Sequence, residues 1–147
     1  MATIQQSVIV PYDQAAMYTL VDHILAYPEF VDWCVASREI ERDAKHVKGA
    51  LTFEFHGVQY EFSTYNRLKP YEQMDIDLID GPFEYLTGHW YFKALNNNMC
   101  EITLHLNYAF SVIGLSLLFE PIFKRMAHHW VDAFCQRADE IYGHDSN

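Results

Sequence analysis

Residues 100–110 read CEITLHLNYAF, and residues 115–141 read LSLLFEPIFKRMAHHWVDAFCQRADEI. In the first stretch Cys100, Ile102, Leu104, Leu106, Tyr108 and Phe110 alternate with Glu101, Thr103, His105 and Asn107. A period of two places the apolar set on one face of a strand and the polar set on the other. In the second stretch the period lengthens. Leu115, Leu118, Phe119, Ile122, Met126, Trp130, Ala133, Phe134, Ala138 and Ile141 form one helical stripe, with Lys124, Arg125, His128, Asp132, Gln136 and Asp139 mostly off it. Pro121 has no N–H to donate, so it should kink this helix or start its main segment. A sheet with one apolar face needs a cover, and this helix is the only element long enough to provide it.

Working outward, the period of two recurs. Val47, Gly49, Leu51, Phe53 and Phe55 alternate with Lys48, Ala50, Thr52, Glu54 and His56; Val58, Tyr60, Phe62 and Thr64 alternate with Gln59, Glu61 and Ser63. Met74, Ile76 and Leu78 alternate with Asp75 and Asp77. This is the patterning of an antiparallel meander. His56-Gly57 reads as a tight turn, and Asn96 to Asn98 as another. Nearer the start, Thr3 to Val10 reads as a strand ended by Pro11. Asp13 can cap a helix carrying Ala16, Met17, Leu20, Val21, Ile24 and Leu25, which Tyr27-Pro28 should stop. A second short helical turn is expected at Phe30, Val31 and Trp33. The order is one strand, two short helices, six strands and a long helix. That is an α+β domain: a curved antiparallel sheet of six to seven strands around a C-terminal helix. Residues 1–147 form a single domain with a loose tail at 143–147.

Composition narrows the function. Ten Phe, ten Tyr and three Trp exceed what a minimal core needs, which suits a ring-lined pocket or an aromatic core. A net charge of −10 argues against non-specific nucleic-acid binding, DNA included, although a local basic patch is compatible with it. No Lys or Arg precedes Arg38, so no secretory or mitochondrial leader is expected, and the run from Tyr108 to Phe119 is too short to span a bilayer. A cytoplasmic location is expected, with at most transient membrane contact. Cys34, Cys100 and Cys135 are odd in number and far apart, so they read as reduced core residues.

Two stretches go beyond periodicity: Tyr27-Pro28-Glu29-Phe30-Val31-Asp32-Trp33-Cys34, and Asp80-Gly81-Pro82-Phe83-Glu84-Tyr85-Leu86-Thr87-Gly88-His89-Trp90-Tyr91-Phe92. Both resemble signatures of the coenzyme Q-binding protein family within the START-like superfamily. Its bacterial members include the ribosome association toxin, and many carry the description oligoketide cyclase or lipid transport protein. Pro28, Phe30 and Trp33 match the first motif; Gly81, Pro82, Phe83, Leu86, Gly88, Trp90 and Phe92 match the second. The resemblance extends to Val10-Pro11-Tyr12 and the terminal Phe134, Arg137, Ala138, Ile141 and Tyr142. It implies a helix-grip fold with a tunnel for a long hydrophobic ligand, ubiquinone first, and no catalytic cofactor. It also implies a large-ribosomal-subunit partner. In close bacterial relatives the strand after Gly57 carries basic residues around an F-T-T-R-N segment. Here Tyr65 stands where Arg is expected and Tyr60 is not basic, which would weaken a contact made by those charges.

Gly81, Pro82 and Phe83 read either as a gate over a cavity mouth or as a plain hairpin turn with a buried Phe. Trp33, Phe53, Phe55, Phe62, Pro82, Phe83, Trp90, Phe92, Phe119, Ile122, Met126 and Trp130 are the candidate ligand-binding residues, roughly half of them expected to serve the core alone. No metal site is expected, since His128 and His129 point about 100° apart on a helix. No nucleophile elbow, phosphate loop or dinucleotide motif is present, so no catalytic residue is named. His89 or Glu120 near the mouth would be needed for a cyclase-type proton transfer, against the simpler reading of polar rim residues. Asp75 and Asp77 share the wet face and read as surface charge. Lys124, Arg125 and Arg137 offer a small basic set to a ribosomal partner or form an ordinary solvated face.

Overall fold

Asp13 begins the first helix as its residue type dictates, its carboxylate accepting the Ala16 N–H at 2.8 Å. This computed structural model describes residues 2–111 and 116–143, leaving the side chains of 116–119 aside. Strand β1 (Ala2–Val10) leads into helix α1 (Gln14–Asp22) and a 3₁₀ turn (Ile24–Glu29). Strands β2 (Cys34–Arg42), β3 (His46–Phe55), β4 (Val58–Lys69), β5 (Gln73–Asp80), β6 (Phe83–Ala94) and β7 (Cys100–Phe110) follow, then helices α2 (Ser116–His128) and α3 (Trp130–Tyr142). The seven strands run β1-β7-β6-β5-β4-β3-β2, every pair antiparallel, with β1 returning to the far edge beside β7.

The turns use the residues their dihedrals require. His56 and Gly57 both have positive φ, at 50° and 81°, the pattern of a type I′ hairpin. Asn97 and Asn98 sit at 62° and 58°, where Asn is tolerated better than most residues.

Two expectations are corrected, and one strand is located that alternation did not mark. Helix α1 ends at Asp22, with the Tyr27-Pro28 pair inside the separate 3₁₀ turn, so the second helical segment precedes Phe30, Val31 and Trp33. Cys34–Arg42 is an edge strand with register shifts and mostly exposed side chains, which hides its alternation. The C-terminal helix divides at His129, not at Pro121, which is accommodated inside α2. Of the stripe, Met126, Phe134 and Ala138 are buried, but Ile141 is exposed; Leu115 and the side chains of Leu118 and Phe119 lie outside the described residues, as does the tail beyond Gly143.

Helices α2 and α3 pack on the β1–β7 side of the concave face, and α1 packs against α3 and β6. The hub of the core is Phe123, fully buried at 0 % exposure. Its ring lies 4.9 Å from Tyr108, 5.0 Å from Phe83 and 5.4 Å from Phe110. Because the helices lean toward one edge, the concave face of β3, β4 and β5 is covered less closely. The site lies there.

Candidate functional site

Alternation along each strand delivers the walls of an apolar cavity of about 80 Å³ between the sheet and α3. Strand β3 contributes Leu51 and Phe53, β4 contributes Phe62, Thr64 and Asn66, and β5 contributes Met74 and Ile76. Leu86 and Trp90 of β6 and Leu106 of β7 complete the floor; Trp130 and Phe134 of α3, with Ile24, Tyr27 and Val31, form the roof. Gly49 shapes one side: a Cβ there would lie 2.4 Å from Ile24 Cδ1, so its absence lets Ile24 settle onto β3. Phe53 stacks on Phe62 at 5.6 Å and on Trp130 at 6.3 Å, while Phe134 meets Trp90 edge-on at 5.3 Å. Packed aromatic rings thus form part of the wall, beside aliphatic side chains.

Among the described residues, two side chains that contribute to this wall hold a polar atom without a hydrogen-bond partner. Asn66 is 5 % exposed; its Nδ2 reaches only the Met74 sulfur at 3.9 Å, and its Oδ1 receives no hydrogen bond. The Trp130 Nε1 donor is also unpaired. A buried polar group left unsatisfied costs about 1–3 kcal/mol. Tyr27 is different, because its hydroxyl donates to the Val21 carbonyl, and burial pushes its phenol pKa well up. No carboxylate, imidazole or thiol lines the cavity among the described residues. The arrangement can bind and orient a ligand, and it offers no acid or base near neutrality.

The structure brings together Phe53, Phe62, Trp90 and Trp130 from the expected ligand-binding set. The others lie elsewhere. Trp33 is 43 % exposed in a left-handed turn, its ring 5.4 Å from Phe55. Phe92 is buried against Tyr18 at 5.4 Å, and Met126 is buried in the core. Phe55 is also a core residue, and Ile122 is half-buried on α2 away from the lining. The side chain of Phe119 is outside the described residues. Gly81, Pro82 and Phe83 are not among the residues lining this cavity; Gly81 and Pro82 form the turn between β5 and β6, and Phe83 is buried. Phe83 is wedged 4.5 Å from Phe110 and 5.5 Å from Phe62, at the packed end of the core.

His89 is also corrected. Register pairs it with His105 on β7 and Asp75 on β5, on the convex face opposite the cavity, where its Nδ1 lies 2.6 Å from Asp75 Oδ1. Glu120 is exposed on α2. Tyr60 and Tyr65 face opposite ways: Tyr60 is half-buried near Phe55 on the concave face, while Tyr65 stacks on His46 outside at 5.2 Å. The two positions cannot share one contact surface. Arg137 is already engaged, with Glu29 at 3.0 Å, Glu140 at 3.5 Å and the Phe30 ring at 5.2 Å. Lys124 and Arg125 are exposed and make no ion pair among the described residues.

The family described as polyketide cyclase / dehydrase and lipid transport matches residues 10–135. The chain belongs to this family. It is 38 % identical over 140 residues to the Pseudomonas aeruginosa protein named ribosome association toxin RatA, covering 95 % of this chain and 97 % of that one. Among solved structures, the Streptomyces ZhuI aromatase/cyclase superposes with a TM-score of 0.82 at 12 % identity, covering 94 % and 93 % of the two chains. A START superfamily protein from Mycobacterium smegmatis gives 0.78 at 14 % identity, covering 95 % and 98 %. The fold is thus helix-grip, START-like, as the motifs implied. Identities this low speak for the fold alone.

Proposed function

We propose that this chain acts on the ribosome, binding the large subunit and hindering subunit joining. One observation carries this reading: the similarity to a protein named ribosome association toxin runs through nearly the whole of both chains at 38 % identity. With a net charge of −10, the contact must be local, since general affinity for polyanions would need the opposite balance. Lys124 and Arg125 on α2 supply neighbouring exposed cations for such a contact. Overproducing the protein in its host should raise free subunits at the expense of joined ribosomes in sucrose gradients. An unchanged profile would remove the proposal.

The cavity favours a second, compatible reading: the domain holds a hydrophobic ligand, ubiquinone being the first candidate, in support of respiratory quinone function. Burial of an isoprenoid tail contributes about 0.8 kcal/mol per CH₂. A cavity of about 80 Å³ has room for several waters. Organic extraction and mass spectrometry of protein purified without detergent would find stoichiometric quinone; an empty protein that also fails to bind quinone in vitro would end this reading. A cyclase-type reaction has no acid or base among the described lining residues to carry it.

A further inference from the structure

We infer that Ile24 is the latch of the cavity, and that ligand enters across the middle of β3, β4 and β5 when the start of the 3₁₀ turn lifts Ile24 off Gly49; this rests on the reading that the cavity holds a hydrophobic ligand. Strand parity locates the mouth. Leu51, Thr64 and Ile76 line the cavity and are half-buried, whereas Phe53, Phe62 and Met74 beside them are buried. All three point to the concave side, so solvent reaches them between the sheet and its cover and not through the sheet. Ile24 borders this opening. A Cβ on Gly49 would lie 2.4 Å from Ile24 Cδ1, so the side chain sits in the space that glycine leaves. Gly49 is in turn the cross-strand partner of half-buried Thr64.

The stretch that carries Ile24 is anchored on both sides and lightly held between. Before it, Arg42 donates to the Asp22 carboxylate at 3.0 Å and to the Asp22 carbonyl at 3.1 Å. After it, Tyr27 donates to the Val21 carbonyl and meets Phe134 edge-on at 5.3 Å, while Arg137 joins Glu29 at 3.0 Å. From His23 to Ala26 no side chain makes a hydrogen bond or ion pair among the described residues. The backbone bond from the Ala26 N–H to the His23 carbonyl is of the poorer 3₁₀ kind. Leu25 is exposed, so Ile24 and the small Ala26 are the buried side chains of this stretch. The turn packs beside β2, an edge strand with register shifts. Tyr27 to Phe30 thus forms the fixed post, and His23 to Ala26 the part that swings.

Trp90 and Trp130 line the cavity, so energy transfer from tryptophan to N-phenylnaphthylamine, an uncharged fluorophore, reports its arrival and departure in stopped flow. The intact chain is the parent. A latch slows entry and escape together, so Ile24→Ala should raise both rate constants at least about fivefold. Gly49→Ala, whose added carbon takes the seat of Ile24, should raise both in the same way. Gly57→Ala strains a turn with nothing within 4 Å of the added carbon, and should leave both rates within about twofold of the parent. Should Gly49→Ala fail to fold, Ile24→Ala decides alone. Parent-like rates in the latch variants, a rise in escape alone as loss of a wall contact gives, or an equal rise in Gly57→Ala overturns the inference while leaving the cavity as a ligand site. Energy transfer absent from the parent and from every variant overturns the ligand reading and the inference together.

Discussion

Gly81 sets the geometry of the β5–β6 turn, and replacing it with alanine should expose how tightly that end is packed. Its φ of 151° lies far outside the small left-handed region open to other residues. Holding alanine there costs about 2–3 kcal/mol. A Cβ would also stand 2.5 Å from Phe62 Cβ and 3.2 Å from Phe62 Cα. Phe62 cannot yield easily, because its ring is held by Phe53 and Phe83. Overpacking of this kind adds about 1–3 kcal/mol, giving a total of about 3–6 kcal/mol. Gly57→Ala is the matched control. Its φ is also positive, at 81°, but nothing lies within 4 Å of the added carbon, so only the backbone cost of about 1–2 kcal/mol applies. Urea unfolding followed by circular dichroism measures both, provided the slopes agree with the parent. Gly81→Ala should be the less stable by at least about 1 kcal/mol. Two variants equal within about 0.5 kcal/mol would refute the steric reasoning.

Burial alone would raise the Asp75 carboxyl, but hydrogen bonds from Gln73 and His89 and the charges of His89 and Arg67 hold it below the ordinary range. The stability it contributes is therefore present above the unfolded value near pH 4 and lost as pH falls through the lower folded value. Asp75→Asn should flatten the fall in Tm below about pH 4, and an unchanged acid limb would contradict this. Burial pushes the thiols of Cys34, Cys100 and Cys135 up to about 11 each. A thiol-specific chromogenic reagent at pH 8 should modify the native protein about a hundredfold more slowly than a free cysteine, with half-buried Cys135 reacting first. Labelling at the free rate would show the thiols to be accessible.

Much of the fold was legible because β3, β4 and β7 bury one face only, so their apolar residues alternate. Edge strand β2 was not, since Val35 and Ile40 point to solvent and leave no contrast to read. The same parity that revealed the strands places Asn66 with Phe62 and Thr64 on the apolar face, a polar residue among buried ones. It also puts His89 opposite Trp90, away from the cavity. Phe123 was passed over because the helical stripe was drawn through Ile122 and Met126, although Phe123 stands three residues before Met126 on the same face and packs against Tyr108 and Phe83. The place of Phe83 depends on rings from three other elements, β4, β7 and α2, which no local pattern encodes.

The most direct measurement is subunit joining followed by light scattering, with purified ribosomal subunits and rising amounts of this protein. Joining should fall as the protein approaches the concentration of large subunits, and preincubation with the large subunit alone should suffice. Charge reversal at Lys124 and Arg125 should restore it. Undiminished joining with the protein in excess, and no co-sedimentation with the large subunit, would contradict a ribosomal role.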